Sequence, residues 1–199
     1  MKILAVGDTH GDSKIMKELA VQAVKENVDL VLLCGDITMF DDVQKDTIRP
    51  FKDAGKKVLM IPGNHEQPST IDFLSEIYGA KNIHDGYVVY KNVAFIGNSA
   101  VNVGPHGILT DDEVFKSLRA NTSKIKDLKT VFVTHVHPAG TRADTMSHMK
   151  GSNGLRKAID EIHPDIVLHG HCHEAQGLEE NIGTTRVINV AKRARIIEI

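Results

Sequence analysis

Short apolar runs separated by longer mixed stretches set the rhythm of this chain. "KILAV" (Lys2–Val6), "DLVLLC" (Asp29–Cys34), "KKVLMI" (Lys56–Ile61), "VAFIG" (Val93–Gly97), "TVFVT" (Thr130–Thr134) and "DIVLH" (Asp165–His169) are continuous rather than alternating. Runs of this length, rich in β-branched residues, predict strands covered on both faces. Between them, apolar residues recur at helical spacing. After Asp12 and Ser13, either able to cap a helix, Ile15, Leu19 and Ala23 follow at intervals of four. Thr110, with Glu113 three positions on, opens "TDDEVFKSLRA" with a capping-box pattern. Leu155, Ile159 and Ile162 share one face of "SNGLRKAIDEIH". "GYVVYKNVAFIG" predicts a hairpin turning at Lys91-Asn92, and the tail "TTRVINVAKRARIIEI" predicts two more strands with antiparallel character. Strand and helix alternate, so the pattern predicts an α/β chain with a sheet packed between helices.

Composition narrows the picture. The 199 residues fit a single domain, 1–199. Hydrophobic residues at 41% can fill a core, and charged residues at 25% are ordinary for a soluble globular chain. A net charge of −2 gives no broad basic surface for extended nucleic acid or a membrane. Aromatic residues at 5%, with no Trp, leave little material for an extended base-stacking platform. Cys34 and Cys172 form neither a disulfide framework nor a CxxC pair. The opening apolar run meets Asp8 at once, so it does not read as a signal peptide, and no run is long enough to span a membrane. A reducing, cytoplasmic setting is the expectation. The unusual count is histidine, with eleven.

Those histidines gather where strands are predicted to end. Gly7-Asp8-Thr9-His10 follows the first run and Gly35-Asp36 the second; Pro62-Gly63-Asn64-His65-Glu66 follows the third. His135-Val136-His137 follows Thr134, and Gly170-His171-Cys172-His173 follows His169. In α/β sheets, ligands bind just beyond the carboxyl ends of the strands, so five distant clusters can share one crevice. Asp, Asn and His offer oxygen and imidazole nitrogen without a thiolate, a set that suits divalent cations of intermediate hardness. Asp8, His10, Asp36, Asn64, His135, His171 and His173 are too many donors for one tetrahedral site. They suit two metals sharing a carboxylate. Each piece alone is weak: Gly-Asp after a strand is more often a turn, and a lone strand histidine is more often a core residue. The joint pattern is strong.

In order and spacing, Asp8-x-His10, Gly35-Asp36, Gly63-Asn64-His65-Glu66, the strand-end His135 and Gly170-His171-Cys172-His173 resemble the calcineurin-like metallophosphoesterases. The likeness is to small single-domain members similar to cyclic-nucleotide phosphodiesterases, and its motifs run from residue 8 to residue 173. It implies a four-layer αββα sandwich of two mixed sheets flanked by helices, with a dinuclear metal centre. Asp8, His10 and His173 would bind the first metal, and Asn64, His135 and His171 the second. Asp36 would bridge them, with His65 a catalytic non-ligand beside the site. The implied reaction is hydrolysis of phosphodiesters, cyclic or other nucleotide diesters among them. It would proceed by in-line attack of a hydroxide bridging two divalent ions (Mn, Fe, Zn, Co or Ni), and His65 would protonate the leaving group. A small phosphoester is the expected partner; the sequence does not set the oligomeric state. The alternatives are a phosphomonoesterase of the same fold and a non-catalytic metal-binding scaffold. Degenerate ligands would mark the scaffold, and all seven are present. A nuclease would call for a basic channel or stacking aromatics, and neither is visible.

Two departures stand out. The family pattern often carries an aspartate three residues after Gly-Asp, where it orients the non-ligand histidine. Here that residue is Met39, which leaves Asp41 or Asp42 as candidates for the task. Ile188–Lys192 stands where relatives commonly have Asn-Pro-Gly, and only a changed strand end is expected. Among the other polar residues, His169 reads as structural. His137, two past His135, and Arg142, in a polar loop with Lys150, are candidate substrate contacts. His84 and His106 read as surface residues. Cys34 reads as a small buried apolar residue, and Cys172 should point away from the metals.

Overall fold

The computed structural model describes residues Met1–Ile199. Its strands divide between two sheets. The first holds β1 (Lys2–Val6), β2 (Leu30–Cys34), β3 (Lys57–Ile61), β4 (Lys81–Asn82) and β11 (Arg195–Glu198), in the order β11-β1-β2-β3-β4. The second holds β5 (Gly86–Tyr90), β6 (Val93–Gly97), β7 (Lys129–Val133), β8 (Ile166–His169), β9 (Glu179–Ile182) and β10 (Thr185–Asn189), in the order β5-β6-β7-β8-β10-β9. β1 to β4 are parallel, as are β6, β7, β8 and β10; the antiparallel partners are β11, β5 and β9 at the edges.

The periodicity alone predicted one sheet between helices; the chain builds two. A strand covered on both faces looks the same in sequence whether its cover is a helix or another sheet. Side-chain alternation makes the division plain. Ile3, Ala5, Leu30, Leu32, Leu59 and Ile61 of the first sheet pack on Val93, Phe95, Val131, Val133, Ile166 and Leu168 of the second. The intervening residues Leu4, Val6, Val31, Leu33, Val58 and Met60 lie under α1 (Ser13–Lys25), α2 (Arg49–Asp53) and α3 (Pro68–Tyr78). On the far side, Ala94, Ile96, Phe132 and Val167 lie under α4 (Asp111–Thr122) and α6 (Asn153–Ile162). The result is the αββα sandwich that the motif resemblance implies. α5 (Arg142–Met146) stands apart from these layers, against Cys172 and Ala175.

The caps follow the chemistry of their residues. The Asp12 carboxylate accepts the N–H groups of Lys14 and Ile15 and starts α1. Thr110 and Glu113 form both halves of a capping box at α4. Between β5 and β6, Lys91 (φ 47°) and Asn92 (φ 62°) make the two-residue turn whose twist suits a hairpin. The chain passes from the first sheet to the second between β4 and β5. There His84, expected at the surface, is largely buried: its Nδ1 accepts the Ser99 N–H at 3.1 Å. No helix is long and apolar enough to cross a membrane.

Candidate metal centre

The loops that follow β1, β2, β3, β7 and β8 meet at one edge of the sandwich. Backbone bonds hold them together before any side chain acts. The Asp8 N–H donates to Gly35 O at 3.0 Å and the His10 N–H to Asp36 O at 2.9 Å. On the other sheet, the Gly170 N–H donates to His135 O at 3.0 Å. Across the sheets, the Gly7 N–H donates to Val190 O at 2.9 Å, and the His171 N–H reaches the Asp8 carboxylate at 2.9 and 3.1 Å. Two glycines are required by close approach. A Cβ on Gly63 would strike Asp36 Oδ1, and one on Gly170 would strike Asp8 Oδ2.

Two sets of donor atoms result. In the first, Asp8, His10 and His173 bring ligand-type atoms within 4.8 Å of one another, with His173 Nε2 3.1 Å from Asp8 Oδ1. In the second, His135 Nε2 faces Asn64 Oδ1 at 3.0 Å and His171 Nδ1 at 3.3 Å. Asp36 stands between the sets. Its Oδ1 is 3.4 Å from His135 Nε2, and its Oδ2 is 3.9 Å from His10 Nε2.

The arrangement attracts positive charge. His135 Nδ1 lies 3.0 Å from the Cys34 carbonyl, which can only accept, so Nδ1 carries the hydrogen. In the neutral ring, Nε2 is then a lone pair aimed at three other electron-rich atoms. Burial alone would depress the His135 pKa, but Asp36 and then Asp8 outweigh it and push it up to about 10. Burial alone would raise the Asp36 carboxyl; His135 and His65 hold it well below the usual carboxylate range. Burial, with His135 next, drives His171 down to about 2. Burial also lowers His10, against the pull of Asp36 and Asp8. His10 Nδ1 and His171 Nε2 are buried without partners. Buried carboxylates, imidazoles and an amide oxygen that converge with ring nitrogens left unpaired fit divalent cations.

His65 sits beside Asp36, its Nε2 3.7 Å from Oδ2 and its side chain 18% exposed. Neither Asp41 nor Asp42 orients it. Asp41 Oδ1 accepts from the Gln67 N–H and the Thr70 hydroxyl, and Asp42 accepts from Gln44. Instead the Phe40 ring lies on His65, with centroids 4.2 Å apart, and the His10 ring meets it edge-on at 4.8 Å.

Glu66 is a residue whose role the sequence reading missed. Fully buried, it accepts the N–H groups of Asp36 (3.1 Å), Thr38 (2.7 Å) and Gly63 (2.8 Å), and the Thr38 hydroxyl (3.0 Å). It thus ties the loop of Asp36 to the loop of Asn64. Burial, then the Asp36 charge, pushes its carboxyl up to about 7 against those donors. An acidic residue straight after Asn64-His65 was the available signal.

His137, the suggested substrate contact, lies below the surface. Its side chain is completely buried, with Nε2 3.4 Å from Asp144 Oδ1. Arg142 is exposed at the start of α5, its N–H donating to Glu180. His169 is buried and pairs with Gly170 O at 3.0 Å. Cys172 is buried with its Sγ toward Ala143 O, away from the donor sets.

A family model described as calcineurin-like phosphoesterase matches residues 1–175. The uncharacterized protein MJ1162 of Methanocaldococcus jannaschii is 30% identical over 209 residues, covering 99% of this chain and 91% of that protein. The solved structure of TT1561 from Thermus thermophilus superposes with a TM-score of 0.76 at 17% identity, over 96% of this chain and 88% of that one. A dimetal phosphatase from Danio rerio superposes with a TM-score of 0.70 at 11% identity, over 95% and 86% of the two chains.

Proposed function

This chain belongs to the calcineurin-like phosphoesterase family, and we propose that within it the protein is a dinuclear-metal phosphodiesterase acting on small phosphoesters. The observation that carries this reading is Asp36, whose two carboxylate oxygens face two different donor sets. Asp8, His10 and His173 would hold one divalent cation and Asn64, His135 and His171 the other, with Asp36 shared. Divalent cations held there supply a Lewis acid for phosphoryl oxygens and make water a nucleophile at neutral pH. Two such charges against the carboxylates of Asp8 and Asp36 leave a small positive excess, which suits a singly charged diester.

The remaining steps belong to side chains of this protein. His65, partly exposed with its Nε2 3.7 Å from Asp36 Oδ2, would give a proton to the leaving oxygen. The Phe40 face and the His10 edge hold its ring in place of a carboxylate. His135, with no exposed surface, donates from Nδ1 to Cys34 O, which fixes its ring orientation.

The test is hydrolysis of bis-p-nitrophenyl phosphate and p-nitrophenyl phosphate with Mn, Fe, Zn, Co or Ni. We expect diester turnover that a chelator stops and that Asp36→Asn abolishes. Near-normal turnover by Asp36→Asn would remove the shared carboxylate. A clear preference for the monoester would replace the diesterase with a phosphatase. No turnover with any metal would favour the non-catalytic scaffold.

A further inference from the structure

The turn after β2 carries an aromatic ring that the core does not use. Met39 to Asp42 form a tight turn closed by the Asp42 N–H on Met39 O at 3.0 Å. Its central residues, Phe40 (φ 51°) and Asp41 (φ 63°), are both left-handed. Asp tolerates that region, but a bulky aromatic does so rarely, and such turns normally place Asn or Gly there. The conformation persists because Asp41 is anchored on every side. Its Oδ1 accepts the Gln67 N–H at 2.8 Å and the Thr70 hydroxyl at 2.6 Å, and its N–H donates to His65 O at 3.2 Å. Its Oδ2 lies 3.6 Å from His106 Nε2, which links the turn to the loop over Asn64.

This strained, anchored backbone does not bury Phe40. The residue is 59% exposed although its ring packs at a tilt of 39° against His65, centroids 4.2 Å apart. Met39 beside it, and Val103 and Ile108 on the His106 loop, are exposed as well. A phenylalanine retained for packing would be covered. One held on an unfavourable backbone, in water, next to the proposed proton donor, faces something that binds.

We propose that Phe40 is a specificity-determining residue, a platform on which a flat aromatic ring of the phosphoester stacks while its phosphate lies at the donor sets. The inference rests on the phosphoesterase reading above and adds a substrate class: esters carrying a nucleobase or another aromatic ring. One exposed ring serves a single base, so it fits a small nucleotide ester and not an extended strand.

The test is inhibition of metal-dependent bis-p-nitrophenyl phosphate hydrolysis by four monophosphates. Adenosine 5′-monophosphate is paired with ribose 5-phosphate, and phenyl phosphate with methyl phosphate. The expected result is inhibition about tenfold tighter for the ring-bearing member of a pair, in line with base–aromatic stacking. That ratio should fall to near one in Phe40→Leu and persist in Phe40→Trp. Whichever pair shows the larger ratio identifies the ring. Equal inhibition within both pairs overturns the proposal while leaving the phosphoesterase reading intact. An equal loss for all four ligands in Phe40→Leu also overturns it, making Phe40 a support for His65 only. Absence of any turnover overturns the phosphoesterase reading and this proposal with it.

Discussion

Asp8, His10, Asp36 and His171 hold positive φ angles of 59°, 46°, 48° and 63°. Asp and His, the types suited to bind cations here, are also among the non-glycine types that best tolerate left-handed backbone. One residue can therefore end a strand, reverse the chain and aim a donor inward. His65, beside these residues, is the side chain whose role chemistry can separate. In His65→Ala, hydrolysis of 3′,5′-cyclic AMP, which expels an alkoxide, should fall ~10²–10⁴-fold. Loss on bis-p-nitrophenyl phosphate, whose leaving group needs no proton, should be much smaller. Equal losses on both would end the acid role. Loss of bound metal on elemental analysis would make His65 a ligand, which its 3.7 Å approach to Asp36 permits. The convergence of the seven donors was legible in the sequence because each follows an apolar run. The Phe40–His65 contact was not, because Phe-Asp does not announce a left-handed turn. The burial of His137 was not legible either, since spacing alone made it look like a partner of His135.

Between elements, Glu66 matters most. It binds backbone donors in the loops after β2 and β3, so the relative position of Asp36 and Asn64 depends on it. In Glu66→Gln, an amide –NH₂ would face N–H groups that now meet an oxygen, leaving buried donors unpaired at ~1–3 kcal/mol. We expect a Tm lower by several degrees and metal affinity lower by about 10–100-fold. Calorimetry and metal titration check both, and wild-type values in both would show the brace to be dispensable. The apolar runs made the central strands legible. β9 was missed because "EENI" (Glu179–Ile182) is polar and lies at a sheet edge, and β4 because it is only two residues long. α3 was missed because its buried residues, Ile71 and Leu74, alternate with exposed Phe73 and Ile77, which blurs the apolar stripe.

Across the whole molecule, which strands pair was beyond periodicity, and the crossover between sheets was invisible. His84 sits at that crossover and links it to Ser99 through an unprotonated Nδ1. Burial lowers its pKa from the ordinary value of 6.5, with Asp85 opposing. The unfolded chain therefore takes up this proton first as pH falls. Stability from the neutral ring is fully present above about pH 6.5 and is lost as pH drops toward the lowered folded value. Buried His137 and His169, the latter held at about 3, act in the same direction. In His84→Gln, the acid limb of Tm against pH should be shallower by up to one proton, ~1.4 kcal/mol per pH unit. An unchanged limb would mean that His84 is not among the groups that set it.

Asp8, His10, Asp36 and Asn64 extend from the first sheet, whereas His135, His171 and His173 extend from the second. A cation gripped by both sets is a rivet through the seam of the sandwich. Binding free energy for such an ion would add to the apolar core that already joins the halves, and stripping the ion would loosen the seam first at this rim.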